Sequence, residues 1–120
     1  MIRLTRWSAA GLIPGLTLGL MSVAYGHAHL LQATPADGSV ISQAPAAFEF
    51  KLSEAATLTA LRLQKNGEAE QKLPLPDNHA TADISVPAPA LSPGSYTLTY
   101  RLLSADHHIV AGHIAFKVGG

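Results

Sequence analysis

Apolar and polar residues alternate in four stretches of the chain. Phe48, Phe50 and Leu52 alternate with Glu49 and Lys51, and Leu61 and Leu63 with Arg62 and Gln64. Tyr96, Leu98, Tyr100 and Leu102 alternate with Thr97, Thr99 and Arg101, and Ile114, Phe116 and Val118 with His113, Ala115 and Lys117. Side chains two apart in a strand share a face, so each stretch predicts a strand with one face buried. LLQA after residue 29 and ADISV after residue 81 read as two more short strands. Asn66-Gly67 predicts a hairpin, because both residues tolerate positive φ, with EAEQKLPL as the returning arm. Pro35-Ala36-Asp37-Gly38 and Ser92-Pro93-Gly94 read as turns, and Pro87 and Pro89 as a strand end or edge. No segment combines a 3.6-residue period with caps at both ends. About seven short strands at this spacing predict an all-β fold. The architecture expected is a small Greek-key sandwich or barrel, immunoglobulin-like in kind.

The first residues follow a different pattern. MIRLTRW carries Arg3 and Arg6 and no acid, and the apolar run AAGLIPGLTLGLMSVA follows, ending in Ala24-Tyr25-Gly26. A basic head, an apolar middle and a small-residue exit predict a secretory signal peptide over residues 1–26, cleaved after Gly26. The run is shorter than the roughly 20 residues a spanning helix needs, which disfavours a membrane anchor. The working domain is then residues 27–120, one small domain.

Removing the leader changes the composition. The eight Lys and Arg fall to six, against eight Asp and Glu, a formal balance of −2. That argues against a nucleic-acid module, whose binding patches are basic, and equally against a polybasic membrane surface. There is no cysteine, so an exported domain of this size must fold without disulfides. Met1, Met21 and Trp7 all belong to the leader, so the mature chain has no sulfur ligand for Cu(I).

Histidine is the remaining chemical signal. All six histidines follow the leader: His27, His29, His79, His107, His108 and His113. Cleavage before His27 gives that residue an α-amine beside its imidazole, a two-nitrogen chelate suited to tetragonal Cu(II) or Ni(II). The bland alternative is a frayed, solvated terminus. Ser104-Ala105-Asp106-His107-His108 lies between two predicted strands. If it stays extended, Asp106 and His108 point one way and His107 the other. With His27 they make an N3O set that matches Cu(II); the alternative is a polar loop. No G-x-S-x-G elbow and no phosphate-binding glycine loop is present.

The mature chain resembles the copper-resistance protein CopC family in three pieces. They are HAHLLQATPADGSV at the start, FEFKLSEA, and LSPGSYTLTYRLLSADHHIVAGHIAFKV with its S-x-D-x-H turn. The resemblance implies a periplasmic Cu(II)-binding β-barrel or sandwich. It implies that His27 binds copper through amine and imidazole, with Asp106 and His108 completing the plane. Glu54 would be a weak axial ligand or a hydrogen-bonding neighbour. A CopD-type membrane copper transporter is the partner it implies. Two departures stand out. Some members carry a Met-rich loop for Cu(I), which this chain lacks, so Cu(II) alone is expected. Tyr100 stands where the family commonly has Trp, and by the alternation it still packs.

His29 offers a competing mode, in which the amine, two deprotonated amides and the His29 imidazole bind Cu(II). The strand expected at LLQA disfavours it and leaves His29 a neighbour of the site. His79, His107 and His113 are expected to be solvated. The leading expectation is a non-enzymatic exported copper protein for sequestration, resistance or delivery. One alternative is an immunoglobulin-like interaction module without a specific metal site. The other is a polysaccharide-attacking copper monooxygenase, disfavoured by the small size and the single carboxylate in the plane.

Overall fold

A computed structural model describes residues 28–76 and 79–119. The expected leader at residues 1–26 and the expected ligand His27 lie outside them. All regular structure among the described residues is strand, in seven segments. These are β1 (Leu30–Thr34), β2 (Ser39–Ile41), β3 (Ala47–Lys65), β4 (Gln71–Lys72), β5 (Thr81–Pro87), β6 (Gly94–Ser104) and β7 (Ile109–Val118). The all-β expectation holds, and the sheet is mixed: β2 runs parallel to β7 and every other pairing is antiparallel.

β3 organises the molecule. Its first part, from Ala47 to Leu52, pairs with β1 on one side and β5 on the other. From Ala56 onward it pairs with β6, which pairs with β7, which pairs with β2. One strand is thus shared between two halves of a curled sheet, and the stretch Ser53–Ala55 is the corner. The alternation at Phe48–Leu52 and at Leu61–Gln64, read separately, belongs to this single strand. Ser53, Glu54 and Ala55 are all exposed, and that polar break hides the continuity in the sequence.

The inward faces match the alternation. Phe48, Phe50 and Leu52 from one half meet Leu61, Leu98, Leu102, Ile114 and Phe116 from the other, all buried. Phe48 and Phe116 face each other with ring centroids 6.1 Å apart. Burying each such side chain contributes about 1.5–3 kcal/mol before the entropy of ordering is counted. Tyr100 packs as expected, 9 % exposed, with its ring 5.7 Å from that of Phe50.

The turns follow their chemistry. Gly67 has φ of 84° in a turn where the Glu68 N–H donates to the Lys65 carbonyl at 2.9 Å, but Asn66 does not take the positive φ that the two-residue reading allowed it. The returning arm is shorter than EAEQKLPL promised, because only Gln71 and Lys72 pair with β3. β5 ends at Pro87 and pairs with β3 alone, so that proline does terminate an edge strand. β2 was not foreseen, since three residues are too few to show a period.

Candidate metal centre

The β6–β7 connection carries the Asp-x-His motif. Ser104, the last residue of β6, is a polar residue buried at the edge of the core, 4 % exposed. Its backbone N–H donates to the His108 carbonyl at 2.9 Å, and the His107 N–H donates to the Ser104 carbonyl at 2.9 Å. These bonds close a tight turn. His107 takes a φ of 68°, left-handed backbone that a non-glycine residue adopts only in such places. The extended geometry expected for Asp106–His108 is therefore corrected: the segment is a turn. The turn still brings the two side chains together. His108 Nδ1 lies 3.0 Å from Asp106 Oδ2, and the His108 N–H points to Asp106 Oδ1 at 3.4 Å.

Asp106 is held as a carboxylate. The Ser104 hydroxyl donates to Asp106 Oδ1, with the His108 carbonyl as a second acceptor at 3.1 Å. The Ser104 bond is the largest cause of a pKa lowered to about 2. Partial desolvation opposes it, and the side-chain bond, backbone bond and charge of His108 add to the lowering. Sequence reasoning assigned Ser104 no role. Its position two residues before the acid is the signal, because a hydroxyl there reaches back across a turn to the acid's oxygen.

The start of the described chain is fastened at the same end of the molecule. Ala28 is 1 % exposed. The His29 N–H donates to Ser53 Oγ at 2.8 Å, and the Ser53 N–H donates to the His29 carbonyl at 2.8 Å. The His29 side chain itself is exposed. Just beyond, Leu30 and Gln32 of β1 face Leu52 and Lys51 of β3, so two steps on β1 match one on β3. Leu31 is the extra residue of this bulge, and its side chain is 68 % exposed.

The register ties these segments together. Ser53 holds His29, and Ala56, three residues on, pairs with Ser104. The corner of β3 thus joins the chain start to the Asp106–His108 turn. Glu54 is exposed within that corner. His107 is exposed in the turn, His113 on the outer face of β7, and His79 before β5. No three His, Asp or Glu side chains among the described residues form a metal-binding group by themselves. Asp106 and His108 bring one carboxylate oxygen and one imidazole nitrogen side by side. His27, the residue expected to supply the others, lies outside the described residues.

A curled all-β sheet with a carboxylate–imidazole pair in its last hairpin turn defines the class. The chain belongs to the CopC domain family, whose profile matches residues 30–119. It is 30 % identical over 99 residues to Protein YobA of Escherichia coli strain K12, covering 78 % of this chain and 80 % of that protein. Protein YobA of Shigella flexneri matches with the same figures. Among solved structures, CopC from Methylosinus trichosporium OB3b superposes with a TM-score of 0.62 at 24 % identity, covering 77 % of this chain and 93 % of that one. PcoC, a methionine-rich copper resistance protein from Escherichia coli, superposes with a TM-score of 0.56 at 24 % identity, covering 78 % and 99 %. These likenesses agree on the fold.

Proposed function

We propose that this is an exported, non-enzymatic protein that holds Cu(II) at the end of the sheet where the chain start and the β6–β7 turn meet. In this reading residues 1–26 are a cleaved leader and the mature periplasmic protein is residues 27–120. His27 supplies its amine and imidazole, Asp106 a carboxylate oxygen and His108 an imidazole nitrogen. Copper is the cargo, held for sequestration and resistance or passed to a membrane transporter of the CopD type.

One observation carries the proposal: the 3.0 Å separation of His108 Nδ1 and Asp106 Oδ2. Two ligand atoms at the usual metal distances, bound at right angles to one ion, stand about 2.9 Å apart. The pair therefore needs little movement to exchange a shared proton for a metal ion. The carboxylate is already ionised, so no proton must leave it. An N3O donor set, with no sulfur available, matches the tetragonal preference of Cu(II) over Cu(I). Relatives named copper resistance proteins agree with this cargo.

The fastening of His29 favours His27 over the competing amide mode. That mode strips the proton from the His29 amide, which is engaged with Ser53 Oγ. His29 is then a neighbour, and Glu54 a weak ligand or hydrogen-bonding neighbour at the corner of β3.

Competitive Cu(II) titration of the protein starting at His27 tests the reading. Asp106→Ala and His108→Ala should each weaken binding by about tenfold or more, the loss expected for one metal ligand. His113→Ala should leave it unchanged. Wild-type affinity in both turn variants would sink the assignment.

A further inference from the structure

Charge is sharply divided between the two halves of the sheet. The half built from β1, the first part of β3 and β5 carries Glu49, Glu54 and Asp83 against Lys51. Lys51 is itself paired with Asp83 at 3.0 Å. The strands of the half built from Ala56–Lys65, β2, β4, β6 and β7 carry Arg62, Lys65, Lys72, Arg101 and Lys117 and no acid, while the acids of this half, Asp37, Glu68 and Glu70, lie in its connections, Asp37 accepting from the Ala115 N–H of β7 at 2.8 Å. Four of these five share the outer face. Arg62 pairs with Lys72 on one side and Thr99 on the other, and Thr99 pairs with His113. Arg101 is two residues along from Thr99 on β6, and Lys117 lies on β7. All are exposed. Lys65 differs: it pairs with the inward Tyr96 and donates to Ser92 Oγ at 2.8 Å.

Neighbouring positions on one sheet face are about 5–8 Å apart, and like charges at that spacing repel. No acid is interspersed among these cations on the strands themselves, and Asp37, Glu68 and Glu70 stand at the rim of the face. The strand surface inside that rim therefore favours anions, an asymmetry that composition alone does not reveal.

We propose that this outer face docks a carboxylate-rich polypeptide segment. The shape favours a protruding chain over a flat lipid surface. A cavity of about 350 Å3 opens on the same face, bordered by Lys117, Gln64, Asn66, Ser95 and Thr97, which offer charge and hydrogen bonds to such a segment. Among the described residues the exposed large apolar side chains are Leu31, Val40, Leu103 and Ile109, with no aromatic among them to anchor in a membrane interface. Leu103 and Ile109 face each other at the turn end of this same basic face, so a docked segment would run toward Asp106 and His108. The surface stands on charge and register alone and does not depend on the copper reading.

The test uses a ten-residue Glu/Asp-rich peptide and the metal-free protein, followed by amide NMR shifts. The expected result is salt-dependent binding, with shifts concentrated at Arg62, Thr99, Arg101, His113 and Lys117. Arg62→Glu/Arg101→Glu should weaken binding about tenfold or more, since it replaces attraction by repulsion, while Lys51→Glu should not. Lys72→Glu/Lys117→Glu gives a second, independent charge reversal should the first pair fail to fold. Shifts spread evenly over both halves, or unchanged binding in either folded double variant, would overturn the proposal. So would binding to vesicles of 30 % phosphatidylglycerol in phosphatidylcholine with no peptide binding.

Discussion

His29 and Ser53 exchange two hydrogen bonds, each 2.8 Å long, and so fix the backbone at the third residue after the predicted cleavage point. Ser53→Ala removes the Oγ acceptor and leaves the other bond in place. The His29 amide should then exchange with solvent faster. The loss is about 0.5–1.5 kcal/mol of local anchoring. Cu(II) affinity should fall severalfold, because the chain start must be ordered again on binding. Hydrogen exchange and copper competition check both parts, and Ser53→Thr should preserve them.

Ser104 prepares the carboxylate. Ser104→Ala deletes the bond that contributes most to the lowered pKa of Asp106. The Asp106 carboxyl should titrate upward from about 2 toward its ordinary value of 3.8. Carbon-detected NMR titration of Asp106 reads this directly. An unchanged midpoint would show that His108 alone sets it.

The acid limb of stability follows from the same residue. Its folded pKa lies below the unfolded value of 3.8, so its stabilising contribution is complete above that value and disappears as pH falls through about 2. Copper release at milder acidity must therefore come from protonation of nitrogen ligands, with Asp106 still ionised. Asp106→Asn should weaken Cu(II) binding by a similar factor at pH 7 and at pH 5. A variant that lost the pH dependence would contradict this division of roles.

Gly112 is a packing requirement. It pairs with Tyr100, and a Cβ there would lie 2.7 Å from Tyr100 Cζ and closer still to the hydroxyl. Gly112→Ala should cost about 1–3 kcal/mol by forcing the buried ring off its place against Phe50. Tyr100→Phe should recover part of that loss in the double variant, because the nearest atom is gone while the ring carbon remains. Urea unfolding of the four proteins in this cycle measures it.

The buried faces of β3, β6 and β7 were legible because side chains two apart share a face, and Phe48, Leu98 and Ile114 are buried as the alternation required. The continuity of β3 was not, because Ser53–Ala55 interrupts the alternation where the strand turns from one half of the sheet to the other. β2 escaped notice because its place depends on long-range pairing with β7. The proximity of Asp106 and His108 was legible but its geometry was not, since they meet across a turn and not along a strand. The roles of Ser53 and Ser104 depend on partners that only the folded register supplies. The charge division was invisible for a similar reason: a net charge says nothing about which strands share a face.

The central claim is that the chain start and the β6–β7 turn hold one Cu(II) together, with the amine of residue 27 as a ligand. Electron paramagnetic resonance of the protein starting at His27, loaded with one equivalent of Cu(II), tests it most directly beside the same protein carrying one extra residue before His27. The account predicts a tetragonal signal with nitrogen couplings in the first protein, and loss of that tight site in the second. Identical spectra and affinities in the two would contradict it.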